Sequence, residues 1–240
     1  MAKRRRWGKT PTRVVTVAGD GDNAEVGRYG VAVAGSDGSA KGEFLGAAIA
    51  GDRAQAIAAK GSVAMAGFDS RAAAGDGSLA RARSGGLATG EIDAVAMVED
   101  GAWALSLQQG FAFARFGLAE TIKNGVAAAM AQSSTEGGGR GIAIAGPAGI
   151  ALAMYEDALV QAGVGGALAG FWRPTAKEVR LAIQPVCKTG EHRPNTLYRF
   201  EKGQFLALTP AEQKKADNDI TICRERWKNE ARKLRRKPPA

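Results

Sequence analysis

An alanine stands at every eighth position from Ala24 through Ala112, twelve times without a miss. Repetition at one fixed spacing means a repeated structural unit. After a one-residue slip near Gly117 the ladder resumes at Ala119, Ala127, Ala143, Ala151 and Ala167, with Thr135 and Leu159 on intervening rungs. The flanks of each rung identify the unit. Gly30-Val31-Ala32-Val33-Ala34, Ser62-Val63-Ala64-Met65-Ala66, Gly110-Phe111-Ala112-Phe113-Ala114 and Gly141-Ile142-Ala143-Ile144-Ala145 alternate small and larger residues, the period of a strand. Between them lie short stretches rich in Gly, Ser and Asp, such as Gly67-Phe68-Asp69 and Gly75-Asp76-Gly77, which suit tight turns. A helix is excluded, because glycine recurs too often and the apolar period is two rather than 3.6. The predicted fold is all-β: an Ala/Gly-rich parallel β-solenoid, or β-roll.

The alternation also predicts a direction. Two sheets wound back to back at close range have room only for Gly, Ala and Ser, so the alanines line a thin interior. The larger neighbours then project outward, the reverse of the usual rule. In the opposite assignment those larger residues form a wider core, and burial decides between the two. Sorting outward positions by alternate units gives a second period of sixteen. One series runs Val31/Val33, Ala47/Ile49, Val63/Met65, Leu79/Arg81, Val95/Met97, Phe111/Phe113, Val126/Ala128 and Ile142/Ile144. The other starts more polar, with Ser39/Lys41, Gln55/Ile57, Arg71/Ala73 and Leu87/Thr89, and turns apolar at Trp103/Leu105. Two strands per sixteen-residue coil, stacked about nine times at ~4.8 Å, make a rod of roughly 43 Å. An apolar stripe of that length exceeds what a soluble monomer normally exposes. The simplest cover is another copy of the chain, closing as a dimer or trimer. The predicted oligomer interface is Val31, Val33, Ile49, Val63, Met65, Val95, Met97, Phe111, Phe113, Ile142 and Ile144.

The stretch from Gly61 through Ala80, which begins Gly61-Ser62-Val63-Ala64-Met65-Ala66-Gly67, is similar to the Ser-Val-Ala-Ile-Gly repeat of head domains in trimeric autotransporter adhesins. The resemblance covers about residues 24–170 and is one of repeat pattern. It implies a left-handed parallel β-roll in which three chains pack through apolar outer faces. The chain departs from those adhesins: it has no signal sequence, coiled-coil stalk or anchoring barrel, and its repeat is eight residues rather than about seven. Related rolls occur in fibre and spike proteins of bacteriophages, assembled in the cytoplasm. The expected setting is therefore a particle component, cytoplasmic at synthesis and then part of a virion, whose partners are sister chains, other particle proteins or a surface receptor.

Charge divides the chain into three segments. Residues 1–18 carry a net +6, residues 19–170 a net −6 and residues 171–240 a net +9, which together make the chain's +9. These predict a basic N-terminal arm, the roll and a C-terminal α+β segment. Arg4, Arg5 and Arg6 at one end and Arg232, Lys233, Arg235, Arg236 and Lys237 at the other are candidate contacts to nucleic acid or an acidic partner. Solvated tails are the plainer reading, and no zinc-finger or helix-turn-helix motif accompanies the charge. No apolar run reaches the length of a membrane span, so no membrane partner is expected.

In the last segment, Val179–Ile183 reads as a strand, and residues 196–208 as a hairpin around Lys202-Gly203. Thr209-Pro210-Ala211-Glu212 is a capping box with proline at the first helical position. The helix it starts runs to about Arg236, with Ile220, Cys223, Trp227 and Leu234 on one face, which docks on the roll or pairs with sister chains. Reactive chemistry is sparse. His192, the only histidine, sits in a polar stretch read as a surface loop. Cys187, His192 and Cys223 match no standard zinc spacing, and Gly137–Gly141 lacks the Lys-Ser or Lys-Thr ending of a phosphate loop. Glu99-Asp100 and Glu156-Asp157 are read as adjacent acids at turns, unsuited to joint catalysis. No catalytic residue, metal or cofactor is expected; the protein reads as a structural or binding protein rather than an enzyme.

Overall fold

A computed structural model of the protein describes residues 14–130 and 141–235, with side chains described for all of these except 100–102, 116, 223 and 226–235. The alternation becomes a two-sided solenoid. A front sheet stacks Val15–Val17, Val31–Ala34, Ala47–Ala50, Val63–Ala66, Leu79–Ala82, the first parts of Val95–Gln108 and Phe111–Lys123, Val126–Ala129, Ile150–Ala153 and Ala167–Thr175, all parallel. Glu178–Pro185 closes it as an antiparallel strand. A back sheet stacks Asn23–Val26, Ser39–Gly42, Gln55–Ala58, Arg71–Ala74, Leu87–Ile92, the second parts of the same two long strands, Ile142–Ala145 and Leu159–Ala162. The antiparallel hairpin Tyr198–Glu201 and Gln204–Ala207 completes it. The front sheet begins within the stretch read as an arm, and its last long strand crosses residue 170.

Burial settles the direction. Ala32, Ala48, Ala64, Ala80, Ala96 and Ala112 are fully buried, whereas Ile49 is 38% and Met65 37% exposed. Alanine lines a thin interior and the larger residues face outward. Alanine is a weak strand former, and here ladders on both edges of nearly every strand, with close packing of the two linings, offset that weakness.

The corners explain the spacing. At the four-residue turns the third residue takes a left-handed backbone, among them Tyr29 (φ 61°), Leu45 (φ 55°), Arg53 (φ 52°) and Gly77 (φ 61°). That conformation disfavours side chains other than Gly, Asn and Asp. Each of these N–H groups donates to the next coil, as Leu45 N–H does to the Lys60 carbonyl at 3.2 Å and Arg53 N–H to the Phe68 carbonyl at 2.8 Å. The last turn residue must be small because the previous coil passes close by: a Cβ on Gly86 would lie 2.6 Å from the Ser70 carbonyl oxygen. Where serine stands there, its hydroxyl is used. Ser70 Oγ accepts from Ala54 N–H at 3.0 Å and lies 2.8 Å from the Phe68 carbonyl, to which it donates; Ser62 and Ser78 repeat the pattern on their own preceding coils.

Two corners have no tight turn. Val95–Gln108 and Phe111–Lys123 run as continuous strands from front to back, so Glu99-Asp100 lies within a strand rather than at a turn. The slip near Gly117 is a register shift between Asp100 and Trp103, after which Trp103 pairs with Leu118, fifteen positions on.

One sequence expectation is overturned here. Ala119 pairs with Ala143 and Ala127 with Ala151, a spacing of 24 rather than 16. The connection from Val126–Ala129 to Ile142–Ala145, residues 130–141, is eight residues longer than a regular four-residue corner. The rung assigned to Thr135 and most of Gly137–Gly141 lie outside the described residues. Eight extra residues preserve the alanine count but move everything after them to the opposite sheet. Ile142 and Ile144 therefore belong to the back sheet, not to the front-sheet series. A second slip follows: Val160 pairs with Ala143 and Leu168 with Ala151, so the inward rungs are Val160 and Leu168, both fully buried, rather than Leu159 and Ala167.

Larger inward residues mark a widening at the C-terminal end, which aromatic side chains fill. Phe200 is fully buried against Phe205 and the edge of Trp172, with ring centroids 5.0 and 6.2 Å away. His192 is part of this plug, contrary to its reading as a surface residue. It is buried, its Nε2 lies 3.3 Å from the Phe205 carbonyl oxygen, and its ring packs on Tyr198 at 5.0 Å.

The helix Pro210–Arg235 starts at the predicted capping box: Glu212 N–H donates to Thr209 Oγ1 and Thr209 N–H to Glu212 Oε2 at 3.0 Å. One face, stepped by four residues, holds it to the back sheet. Glu212 pairs with Arg199 at 2.5 Å, Ala216 and Ile220 bury against Leu118, Ile142, Ile144, Leu159 and Leu197, and Arg224 Nη2 reaches Glu120 Oε1 at 2.6 Å. Arg199 lies on the terminal hairpin and Glu120 three strands earlier. Twelve helical residues at ~1.5 Å match three strand spacings at ~4.8 Å. The helix thus runs along the rod, back toward the N-terminal coils.

Candidate assembly surface

The two outer faces differ in what covers them. On the back sheet, the polar early coils give way to Leu87, Trp103, Leu118, Ile142 and Leu159, and over this apolar part lies the chain's own helix. Leu118, Ile142 (5% exposed), Ile144 (8%) and Leu159 are buried beneath it, with Trp103 packed beside them. The change of character at Trp103, visible in the sequence, marks where intramolecular cover begins.

The front sheet carries no such cover among the described residues. Val31, Val33, Val63, Val95, Met97, Phe111 and Phe113 are half-buried, Ile49 and Met65 exposed, and they stand in one plane because successive coils pair in exact register at sixteen positions: Val31 with Ala47, Ala47 with Val63, Val63 with Leu79. Their half-burial comes from neighbours in the same stripe, each outward side chain leaning on those one coil above and below. The stripe is longer than the sequence series indicated. Val15 and Val17 extend it at one end; at the other, Ile150 and Leu152 follow Val126 and Ala128, and Ile183 and Leu181 of the closing strand pair with Ala169 and Phe171 and face the same way. Strands of four residues span ~13 Å and ten spacings of ~4.8 Å span ~48 Å, so the face covers roughly 600 Å².

Charge within the face is sparse, and Arg81 beside Leu79 is paired with Glu99 at 3.0 Å. By contrast the ridge between front and back sheets is charged: Arg53 donates to both Asp37 oxygens at 3.0 and 2.7 Å, which raises its pKa above the ordinary arginine value. On the same ridge the Arg83 guanidinium lies over the Phe68 ring at 5.4 Å.

Of the residues expected at an oligomer interface, nine share this front face and two, Ile142 and Ile144, are removed to the core beneath the helix. Arg4, Arg5, Arg6, Arg236 and Lys237 lie outside the described residues; Arg232, Lys233 and Arg235 occupy the last turns of the helix, and their side chains, like those of Cys223 and Trp227, are outside the description too. Cys187 is exposed and unbonded. Among the described residues no three His, Cys, Asp or Glu side chains converge as metal ligands, and no helix is long and apolar enough to cross a membrane. The chain matches no protein-family model, no curated protein and no solved structure.

Proposed function

We propose that this protein is a non-enzymatic assembly component, a β-roll that associates with copies of itself through the outer face of its front sheet and serves as part of a trimeric fibre, spike or adhesin-like element of a bacteriophage or similar particle. The observation that carries this reading is the asymmetry of cover. A helix lies over the apolar half of the back sheet, while the longer apolar front has no such cover among the described residues. That front, at roughly 600 Å², is at the upper end of the largest patches on monomers and approaches the ~800 Å² per partner of stable interfaces. Its flatness and long register suit a like surface, and the resemblance of its repeat to that of adhesin heads favours three chains. Synthesis in the cytoplasm and incorporation into a virion belong to the same proposal. Sedimentation equilibrium tests it: a particle of three times the 24.8 kDa chain supports the trimer, and a monomer at micromolar concentration refutes assembly through this face.

A second reading, a scaffold bound to nucleic acid through its basic ends, draws on the helix's course. It carries the segment with Arg232, Lys233 and Arg235 toward the coils from which residues 1–13 depart. Retention on DNA that falls steeply with salt and weakens on charge reversal at both ends supports it; no retention at low salt removes it.

A further inference from the structure

A cleft of about 490 Å³ opens at the C-terminal end of the roll, away from the thin interior. Its walls are the corner Met154–Asp157, the strand end Phe171–Arg173 and Val179 of the closing strand. Its size falls in the range of small-molecule sites, and its corner, residues 154–158, is one residue longer than the four-residue corners of the regular coils. Here Tyr155, Phe171 and Trp172 stand with Glu156, Asp157 and Arg173.

Two features make this a built surface rather than a gap. First, the indole of Trp172 is fixed from behind. Its ring meets the edge of Phe200 at 6.2 Å and 71°, and the Lys202-Gly203 turn presses on it so closely that a Cβ at Gly203 would lie 2.7 Å from Cζ2. Gly203 sits at φ +82°, so this turn both needs glycine for its backbone and uses the missing side chain to seat the indole. Second, the charged groups are unspent. Glu156, Asp157 and Arg173 make no ion pair or side-chain hydrogen bond among the described residues, whereas Arg53, Arg81, Arg180, Arg199 and Arg224 each hold a carboxylate. Tyr155 is 48% exposed at the mouth.

We propose that this cleft binds a saccharide. Aromatic rings offer flat apolar surface to the C–H face of a pyranose, and two carboxylates with a guanidinium accept from and donate to its hydroxyls in charge-assisted hydrogen bonds. A ligand rich in paired hydroxyls uses both signs of charge at once, whereas a quaternary ammonium would be drawn to the rings and carboxylates but repelled by Arg173. The site lies at the C-terminal end of the rod, beside the closing strand.

The test is the full chain applied to an array of immobilised neutral oligosaccharides of hexoses and N-acetylhexosamines, followed by calorimetric titration of the retained sugars. Binding is expected, weakened about tenfold or more by Tyr155→Ala, through loss of the ring's apolar contact, and by Asp157→Asn combined with Glu156→Gln, through loss of charged hydrogen bonds. Tyr155→Phe should retain most of it. These side chains are at the surface, and an unchanged thermal midpoint in each variant shows that the fold survives. Absence of retained sugar across the array overturns the proposal. So does retention that these variants do not change, or titration of tetramethylammonium at this site with no sugar bound.

Discussion

Replacing Val63 and Met65 by lysine places two charges in the middle of the front face while leaving the interior alone, since Ala64 and Ala66 between and after them point inward. In an assembly through this face each ammonium must be desolvated or must stretch its stem to the rim, at a cost of ~1–2 kcal/mol each when the stem can reach water. Each interface contains both chains and hence four lysines, so the destabilisation is about 4–8 kcal/mol. That amounts to three to six powers of ten in the dissociation constant. Met65, already 37% exposed, adds less than ~1 kcal/mol of lost burial per chain, so charge dominates. Within the single chain the substitutions exchange outward strand residues, worth under ~1 kcal/mol each. Sedimentation equilibrium should therefore show a monomer at micromolar concentration, and far-UV circular dichroism an unchanged β spectrum. Loss of the β spectrum would refute the inward-alanine argument; undiminished assembly would refute the interface.

Ala64→Leu should have the opposite signature, destabilising the roll by about 3 kcal/mol in urea without first changing its association, because a fully buried lining has no room for an isobutyl group. Ser70→Ala removes the bridge to Ala54 N–H and is expected to cost ~1–2 kcal/mol, measured by the same unfolding midpoint. Leu45→Asn should stabilise by roughly 0.5–1 kcal/mol, since the left-handed corner at φ 55° suits asparagine; a fall in thermal midpoint contradicts the corner analysis. Ile220→Asp should lift the helix from the back sheet, seen as faster amide exchange in Ile142–Ala145 and binding of a hydrophobic dye; protection equal to the parent chain would mean the helix does not cover that sheet.

Much of this architecture is legible because the repeat is short and its lining chemically uniform. One alternation, Val31-Ala32-Val33-Ala34, contains the strand, its inward side and, through the glycine before it, the corner. What was not legible arises where a count and a geometry part company. The excursion between Ala129 and Ile142 equals one alanine interval, so the ladder continues while the sheet changes, and Ile142 and Ile144 appear to extend the wrong series. Leu159 and Ala167 fit the count, yet Val160 and Leu168 face inward because the corner of residues 154–158 holds one residue more than the regular four. His192 is flanked by Thr189, Gly190, Glu191 and Arg193, and nothing local announces its burial; the signal lay in the alternation of Tyr198, Phe200 and Phe205, whose inward rings need a lid. The cleft had no sequence signature, since Tyr155 and Trp172 are brought together by pairing of strands sixteen or more positions apart.

The extra unit between the two halves reveals a parity rule for how such a chain can change length. An insertion of sixteen residues adds one coil, lengthens the rod by a single strand spacing and returns every later side chain to its own face. Eight residues are neutral for the lining and yet exchange the two outer faces, so that residues in step with the front sheet arrive on the back sheet and the reverse. This chain tolerates one odd step because its residues beyond that point match their new side: the isoleucines arrive where a helix waits for them. Growth of the rod is thus quantised in pairs of units, and any odd step must be accompanied by a second change that re-dresses the downstream surface.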